Sequence, residues 1–181
     1  MRALLRFDKV ALRRGGRLLF EDLSFELEAG GALQVAGPNG SGKSSMIRLA
    51  AGLLRAERGG IERSAVALAD DNVALDRELP LKKALRFWSS DVDGAMQALG
   101  LAALADVPVR FLSSGQLKRA TLARVAASTA PLWLLDEPLN ALDADGAKHL
   151  VKLVDEHRIS GGAVVAASHV PLPGEWQRIE L

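Results

Sequence analysis

Three short, mostly apolar runs recur along the chain, separated by polar and glycine-containing stretches. They occupy residues 32–36, 132–135 and 163–167. A run that is apolar on both faces is typical of a strand buried on both sides, as in a parallel sheet. The pattern therefore predicts a mainly parallel core sheet, to which residues 66–68 add a further short strand.

The N-terminal region has a different pattern. Strands are predicted over residues 4–10 and 23–27, with a turn between them at residues 14–17. Residues 3–35 therefore predict an antiparallel β region. The charged, glycine-containing stretch 55–64 is predicted to be a loop.

Helical spacing dominates the middle of the chain, where residues 80–130 predict a helical subdomain. Its first apolar stripe is predicted to pack inside the protein and consists of Leu81, Ala84, Leu85 and Trp88. Helices are also predicted over residues 45–53, 95–99 and 117–127.

A further helix is predicted after Asp143, a plausible N-cap, and it ends at Gly161 and Gly162. Its apolar face contains Ala147, Leu150, Val151 and Val154. Strands that alternate with helices indicate an α/β layered fold. At 181 residues and 49% hydrophobic content, the chain suits a single domain spanning residues 1–181.

Charge and composition exclude several classes. A net charge of +1 gives no field of one sign to attract nucleic acid, so no nucleic-acid partner is expected. The absence of cysteine excludes disulfides and thiol metal sites. Charges interrupt the N-terminal apolar residues too early for a signal peptide, and no stretch approaches the ~20 apolar residues of a spanning helix. Any membrane contact is expected to come through a partner.

Residues 37–44 carry the most specific chemistry, because they fit the pattern G-x-x-x-x-G-K-[S/T] at every fixed position. Glycines allow backbone N–H groups to approach phosphates, Lys43 supplies a positive charge, and Ser44 offers a hydroxyl to Mg²⁺. The predicted ATP contacts are Gly37, Pro38, Asn39, Gly40, Ser41, Gly42, Lys43, Ser44 and Ser45. A chance glycine-rich turn is disfavoured, because a predicted strand precedes the run and a predicted helix follows it.

Two acids, Asp136 and Glu137, follow the predicted strand 132–135. Ligands of open α/β sheets collect at the carboxyl ends of strands. Asp136 is predicted to hold Mg²⁺, and Glu137 to polarise the water that attacks the γ-phosphate. Taken alone, such a pair also fits a solvated strand end.

Residues 112–116, Leu-Ser-Ser-Gly-Gln, precede the predicted helix 117–127. Here the chain resembles the ATP-binding cassette (ABC) superfamily, whose signature Leu-Ser-Gly-Gly-Gln differs only at Ser114. In that family the segment opens a helix and clamps the γ-phosphate of ATP held by a second subunit. The resemblance implies that a second copy's nucleotide is contacted by Ser113, Ser114, Gly115 and Gln116. Taken alone, the segment also fits an ordinary serine-rich helix cap.

Two further segments match the family in order. Residues 140–143 resemble the loop that touches the opposite subunit, which implies a nucleotide-side role for Asp143. Ser168 and His169 follow a predicted strand as the family's switch histidine does, and this implies that His169 senses the γ-phosphate. The resemblance therefore implies a P-loop NTPase of the ABC type that hydrolyses ATP with Mg²⁺, with Lys43, Glu137 and His169 as catalytic groups.

The chain departs from the family at two places besides Ser114. An aromatic residue that stacks on adenine is replaced by residues 12–15, Leu-Arg-Arg-Gly, where an arginine can stack instead. The family's loop glutamine is replaced by Asp70-Asp71-Asn72. An extra carboxylate there can join the water shell of Mg²⁺ or can repel the γ-phosphate.

Within the superfamily, the chain is most similar to the ATP-binding subunits of cytochrome c maturation haem exporters. The similarity lies in residues 19–25, 37–40, 85–88 and 130–138. It implies a membrane-spanning partner subunit, a head-to-tail dimer around ATP, and a position on the cytoplasmic face of the membrane. The alternatives are an ATPase of another ABC transporter, a soluble ABC protein of DNA repair or translation, and an assembly module that scarcely hydrolyses ATP.

Overall fold

The structure is a computed structural model that describes residues 3–70, 72 and 74–181. The chain divides into two compact units. The first unit contains residues up to 68 together with 130–138 and 157–181, and the second contains residues 69–129 and 139–156. The prediction of one domain over the whole chain stays a prediction.

The strands and helices of the described residues are as follows. The strands are β1 (Ala3–Arg14), β2 (Arg17–Glu28), β3 (Ala32–Ala36), β4 (Arg58–Arg63), β5 (Val66–Ala69), β6 (Leu132–Asp136), β7 (Ala163–Ala167) and β8 (Gln177–Glu180). The helices are α1 (Lys43–Ala50), α2 (Leu81–Arg86), α3 (Asp93–Ala98), α4 (Ser114–Ala126) and α5 (Ala144–Ile159). Single 3₁₀ turns occur at Ala102–Leu104 and Val109–Phe111.

An antiparallel sheet of order β2-β1-β4 forms the N-terminal region. Gly15 and Gly16 have φ of 55° and 78°, so they make a tight hairpin turn that brings Arg14 opposite Arg17. The predicted turn is therefore confirmed, and both strands reach it instead of stopping several residues short. The antiparallel region ends at Glu28, because β3 pairs in parallel with β7.

The prediction of a loop over residues 55–64 is wrong, because β4 pairs with β1 at Arg58–Arg63. Ile61 is the single apolar side chain in this strand, and the flanking residues are exposed. An edge strand with so little apolar surface shows no alternation, so only its pairing with the distant β1 reveals it. β8 was not predicted for the same reason, since Ile179 is its one apolar residue.

The five-stranded sheet has the order β5-β6-β7-β3-β8. Every residue of β3, β6 and β7 is buried, and the β3–β7, β6–β7 and β3–β8 pairs are parallel. This confirms the parallel core predicted from the apolar runs. Helix α1 adds the fully buried Met46 and Ile47 to the core, and burying side chains of this size stabilises the fold by roughly 1.5–3 kcal/mol each.

The second unit contains α2, α3, α4, both 3₁₀ turns and most of α5. Leu81, Ala84 and Leu85 are buried as predicted. Trp88 does not belong to this packed stripe, because α2 ends at Arg86 and the Trp88 side chain is 46% exposed. None of the helices in the described part of the chain is long and apolar enough to cross a membrane.

Candidate nucleotide-binding site

The phosphate loop connects β3 to α1, and steric constraints determine its conformation. Gly37 has φ 141°, and a Cβ there would lie 2.5 Å from the Leu181 carbonyl oxygen and 2.7 Å from Ser41 Oγ. Gly42, which precedes α1, has φ 116°. L-residues rarely adopt these angles, so the loop requires glycine at both positions.

Two polar groups of this loop are buried: the side chain of Lys43, and the hydroxyl oxygen of the half-buried residue Ser41. Lys43 is 6% exposed, and its ammonium donates to the carbonyl oxygens of Gly37 at 2.9 Å and Pro38 at 3.0 Å. Ser41 Oγ is buried without a hydrogen-bond partner in the described structure. A buried hydroxyl without a partner is costly unless a ligand satisfies it. The loop thus fits an anionic ligand that accepts hydrogen bonds.

Two oxygen groups meet at the start of α1. Ser44 Oγ donates to Asp136 Oδ1 at 3.0 Å, and Asp136 is 5% exposed at the end of β6. A hydroxyl and a carboxylate are oxygen ligands of the kind that Mg²⁺ prefers. The structure therefore brings together the two residues predicted to hold the metal.

Glu137 and His169 form a hydrogen-bonded pair at the carboxyl ends of β6 and β7. His169 Nδ1 lies 2.9 Å from Glu137 Oε2, and because a carboxylate only accepts, the imidazole donates. Glu137 has φ 45°, a left-handed conformation that costs of order 1–2 kcal/mol outside glycine. Its backbone N–H donates to Ala167 O at 2.9 Å, which stabilises this conformation.

A cleft of about 400 Å³ opens over the phosphate loop. It is lined by Arg14, Leu19, Asn39, Gly40, Gly42, Lys43, Ser44, Ser45 and Glu137. Arg14 reaches it from the end of β1 and donates to Ser45 Oγ at 3.3 Å. Its neighbour Arg13 instead pairs with Glu57 at 3.4 Å. Of the two arginines in the segment that lacks an aromatic residue, Arg14 is thus the one that lines the cleft.

A larger cleft in the first unit, of about 790 Å³, lies at the turn between β2 and β3. Glu26, Glu28 and Glu175 contribute to its lining, whereas Arg158 is its one basic residue. Three carboxylates repel a polyphosphate. The smaller, lysine-containing cleft is therefore the candidate nucleotide site.

The signature segment lies in the second unit and opens α4. Ser113 is the N-cap: its Oγ accepts from Gln116 N–H at 3.3 Å, while Gln116 Oε1 accepts from Ser113 N–H at 2.9 Å. The helix-cap interpretation is therefore confirmed. It does not exclude contact with a nucleotide, because accepting the cap bond leaves the Ser113 hydroxyl free to donate.

Asp143 caps α5 in the second unit, because its carboxylate accepts from Gly146 N–H at 2.7 Å. This confirms the predicted N-cap. Two residues earlier, Ala141 has φ 64°, which no sequence pattern indicated. Asp70, at the place of the family's glutamine, is 8% exposed and accepts from Asn72 N and Nδ2, each at 3.1 Å. Asp71 lies outside the described residues.

The first unit thus brings together the phosphate loop, Asp136, Glu137 and His169, whereas the second contains the signature segment and Asp143. Leu19 lies in the segment 19–25 that carries the family resemblance, but it was not predicted to line the cleft. The sequence offered both arginines of residues 12–15, and the contacts in the structure distinguish them: Arg14 lines the cleft and donates to Ser45 Oγ, whereas Arg13 pairs with Glu57. A phosphate loop followed by paired acids at the end of a buried parallel strand is the arrangement of a P-loop NTPase, and the signature segment at the start of α4 narrows the class to an ATP-binding cassette domain.

Comparison with known proteins agrees with this class of domain. The model of the ABC transporter family matches residues 20–140. The cytochrome c biogenesis ATP-binding export protein CcmA of Sphingopyxis alaskensis is 53% identical over 180 residues, covering 95% of this chain and 93% of the relative. CcmA of Novosphingobium aromaticivorans is 56% identical over 172 residues, covering 93% and 90%.

Solved structures extend the likeness to the fold. A putative ABC transporter ATP-binding protein from Pyrococcus furiosus has a TM-score of 0.84 at 20% identity and covers 98% of this chain and 96% of that chain. The chain therefore belongs to the ABC transporter family and, within it, to the CcmA family of cytochrome c biogenesis ATP-binding export proteins. It is an ATP-hydrolysing subunit of a transporter, and the α/β fold class predicted from the sequence is confirmed.

Proposed function

We propose that this chain binds Mg²⁺–ATP in the cleft over its phosphate loop and hydrolyses it to drive haem export for c-type cytochrome biogenesis. One observation carries the proposal. A buried lysine, an orphaned serine hydroxyl, a hydroxyl–carboxylate pair and a glutamate–histidine pair converge at the carboxyl edge of one parallel sheet. Hydrolysis of a triphosphate by a P-loop enzyme uses a lysine at the phosphates, a hydroxyl and a carboxylate at the metal, and a group that orients the attacking water.

The phosphates are bound by the loop itself. Backbone N–H groups at the start of α1 face an anion with the positive end of the helix dipole. Lys43 donates to two neutral carbonyl oxygens of its own loop, and a charged phosphate oxygen is a stronger acceptor for it. Ser41 Oγ then gains the partner that it lacks within the described chain. ATP thus replaces weak internal contacts with charge-assisted ones.

Ser44 and Asp136 are the residues that would hold Mg²⁺. When bound, the ion neutralises charge on the β- and γ-phosphates. Asp136 is buried at the end of β6, so the surrounding sheet fixes the position of its carboxylate. A fixed carboxylate orients the metal without reorganisation during each cycle.

Glu137 orients and deprotonates the attacking water. Its Oε2 accepts from His169, which leaves Oε1 to accept from water. The left-handed backbone at Glu137 and its bond to Ala167 hold the carboxylate over the loop cleft that it lines. His169, 46% exposed at its side chain, exchanges its bond to Glu137 for one to the γ-phosphate and so reports whether that phosphate is present.

Arg14 provides the surface for the adenine ring. A guanidinium is planar and stacks on aromatic rings, and Arg14 lines the cleft beside Leu19. An aromatic residue is therefore unnecessary at the end of β1.

The complete site forms between two copies of the chain. The Ser113 hydroxyl, the Gly115 N–H and the N-terminus of α4 suit the γ-phosphate of ATP bound to a second copy. ATP closes this head-to-tail dimer and hydrolysis opens it. Each dimer therefore binds two molecules of ATP. Asp143 and its loop face the second copy.

The second unit also carries an exposed aromatic pair, Phe87 and Trp88, 83% and 46% exposed. Their rings pack edge to face at 5.4 Å, and the guanidinium of Arg124 lies 4.8 Å from the Trp88 ring centre. Trp88 Nε1 donates to Ala74 O at 2.9 Å, which fixes the ring. Exposed, ordered aromatic side chains are typical of interfaces. We assign this pair to contact with the membrane-spanning subunit on the cytoplasmic face of the membrane.

The cargo assignment is tested in a strain that lacks this chain. Wild type should restore haem-stained c-type cytochromes, whereas Lys43→Ala should not. Lys148→Ala is the matched control, because that lysine is exposed and forms a surface ion pair with Asp145 at 3.1 Å. Haem proteins that do not bind haem covalently should stay at wild-type levels throughout. Normal c-type cytochromes in the deletion strain would contradict the assignment.

A further inference from the structure

A glycine in the signature segment makes an unusually close approach to a backbone carbonyl. Gly115 is the second residue of α4, and a Cβ built there would lie 2.8 Å from the Ala141 carbonyl oxygen. Gly115 does not have a positive φ, so its conformation does not require glycine. Glycine near the start of a helix gains nothing in helix propensity over alanine. The space occupied by the Ala141 carbonyl is what requires it.

The carbonyl is held in place by its own loop, residues 139–143. Ala141 has φ 64°, a conformation that is costly for any residue with a side chain. Leu142 N–H donates to Leu139 O at 3.1 Å, and the Asp143 carboxylate accepts from Gly146 N–H at 2.7 Å. One bond that spans Ala141 and a second that follows it therefore hold the strained residue and the direction of its carbonyl.

We infer that Gly115 is a positioning residue that seats the Ala141 carbonyl against the first turn of α4. The contact couples the 139–143 loop to the signature segment, so that the two segments facing the second copy keep one arrangement. The inference rests on the proposed function in assigning both segments to the dimer interface. This positioning role is additional to any contact that the Gly115 N–H makes with a nucleotide.

The test is Gly115→Ala, compared with Gly94→Ala. Gly94 is also the second residue of its helix, α3, and a Cβ there meets nothing within 4 Å. The two variants thus make the same change at the same helix position, with and without the opposing carbonyl. The readout is amide hydrogen exchange of residues 139–146 in the nucleotide-free full-length protein.

In Gly115→Ala, we expect the Leu142 and Gly146 amides to exchange at least about threefold faster, because the loop must move to admit the Cβ. In Gly94→Ala they should exchange at the wild-type rate. Unchanged exchange in residues 139–146 of Gly115→Ala would overturn the inference. Core amides of β6 and β7 serve as the folding control and should stay protected in both variants.

A second variant separates positioning from nucleotide contact. Ala141→Gly removes the cost of the left-handed conformation and allows the carbonyl to turn away. We expect Gly115→Ala alone to lose ATP-dependent dimerisation. The double variant Gly115→Ala with Ala141→Gly should recover much of it. Sedimentation in a Glu137→Gln background measures this. Loss of dimerisation without recovery and without faster exchange would mean that Gly115 acts only at the nucleotide. If the wild type binds ATP without dimerising while the exchange result holds, the proposed dimer is wrong and the contact stands.

Discussion

The phosphate loop and the signature segment both carry ABC motifs, but their residues are satisfied in different ways. In the phosphate loop, Ser41 Oγ is buried with no partner in the described chain, and buried Lys43 relies on neutral carbonyl oxygens. In the signature segment, Ser113 and Gln116 complete a reciprocal helix cap. The local fold therefore explains the signature residues but leaves the phosphate-loop residues to be explained by a ligand.

The difference shows what a motif can establish by itself. Gly37 has φ 141°, which residues with a side chain rarely adopt, and a Cβ there would clash with the Leu181 carbonyl oxygen, so this loop conformation requires glycine. A capping box, in contrast, stabilises any helix that begins with serine and carries glutamine three residues later. Evidence for the signature's role must therefore come from a second copy of the chain.

The largest expected effect concerns the steric requirement of the phosphate loop. Gly37→Ala should lower the free energy of unfolding by roughly 2–4 kcal/mol. The added Cβ would displace neighbouring backbone, and alanine would have to adopt a φ that is unfavourable for it. Gly161→Ala, at φ 87° with nothing within 4 Å of the added Cβ, should cost only about 1 kcal/mol. Chemical denaturation measures both. Equal losses would show that crowding at Gly37 is unimportant.

The next effect concerns the cap. Ser113→Ala should reduce the free energy of unfolding by about 1 kcal/mol, because α4 loses its N-cap. ATP affinity of the isolated chain should stay at the wild-type value, since in the proposed dimer the signature segment contacts the other copy's nucleotide. Chemical denaturation measures the free energy of unfolding, and calorimetric titration measures the ATP affinity of the variant and of the wild type. A clear loss of ATP affinity in the monomer would break the contrast between the two regions.

A smaller effect concerns the adenine surface. Arg14→Ala should weaken ATP affinity by about three- to tenfold, because a stacked guanidinium contributes of order 0.5–1 kcal/mol or more. Arg13→Ala is the control, since Arg13 pairs with Glu57 and does not line the cleft. Similar losses for both variants would indicate a general charge effect instead of stacking.

The smallest effect is a pH dependence in the first unit. The His157 ring stacks on Trp133 at 3.7 Å, and burial lowers its pKa below the ordinary 6.5 despite a bond to Pro131 O. The unfolded chain then binds the proton more readily, so stability is full above pH 6.5 and falls as the pH drops toward the folded-state pKa. The loss is at most about 1.4 kcal/mol per unit of lowering. His157→Phe keeps a ring on Trp133, and thermal unfolding should show a flatter profile between pH 7 and pH 5.

The sequence predicted elements with strong local signals and missed those that depend on distant pairing. The buried strands β3, β6 and β7 and the N-cap Asp143 are predictable from the sequence, because apolar runs and capping residues act locally. The strand β4 has no apolar pattern, and the exposure of Trp88 depends on where α2 ends. Helical spacing alone cannot show that end.

The site shows the same division. The phosphate loop and the acids were predictable, because their chemistry fixes their order and spacing. The left-handed Glu137 and Ala141, the choice between Arg13 and Arg14, and the crowding of Gly115 are properties of the folded backbone. The residue types at these positions do not indicate the backbone angles, contacts or crowding that the folded chain shows there.

The most direct test of the central claim is steady-state ATP hydrolysis by Glu137→Gln in the complex with its membrane partner. Glutamine keeps the size of the side chain and removes its basicity, so turnover should fall by about 10²–10⁴-fold while ATP-dependent dimerisation persists. Glu156→Gln, an exposed glutamate of α5, is the control and should hydrolyse ATP at the wild-type rate. Near-normal turnover in Glu137→Gln would contradict the account.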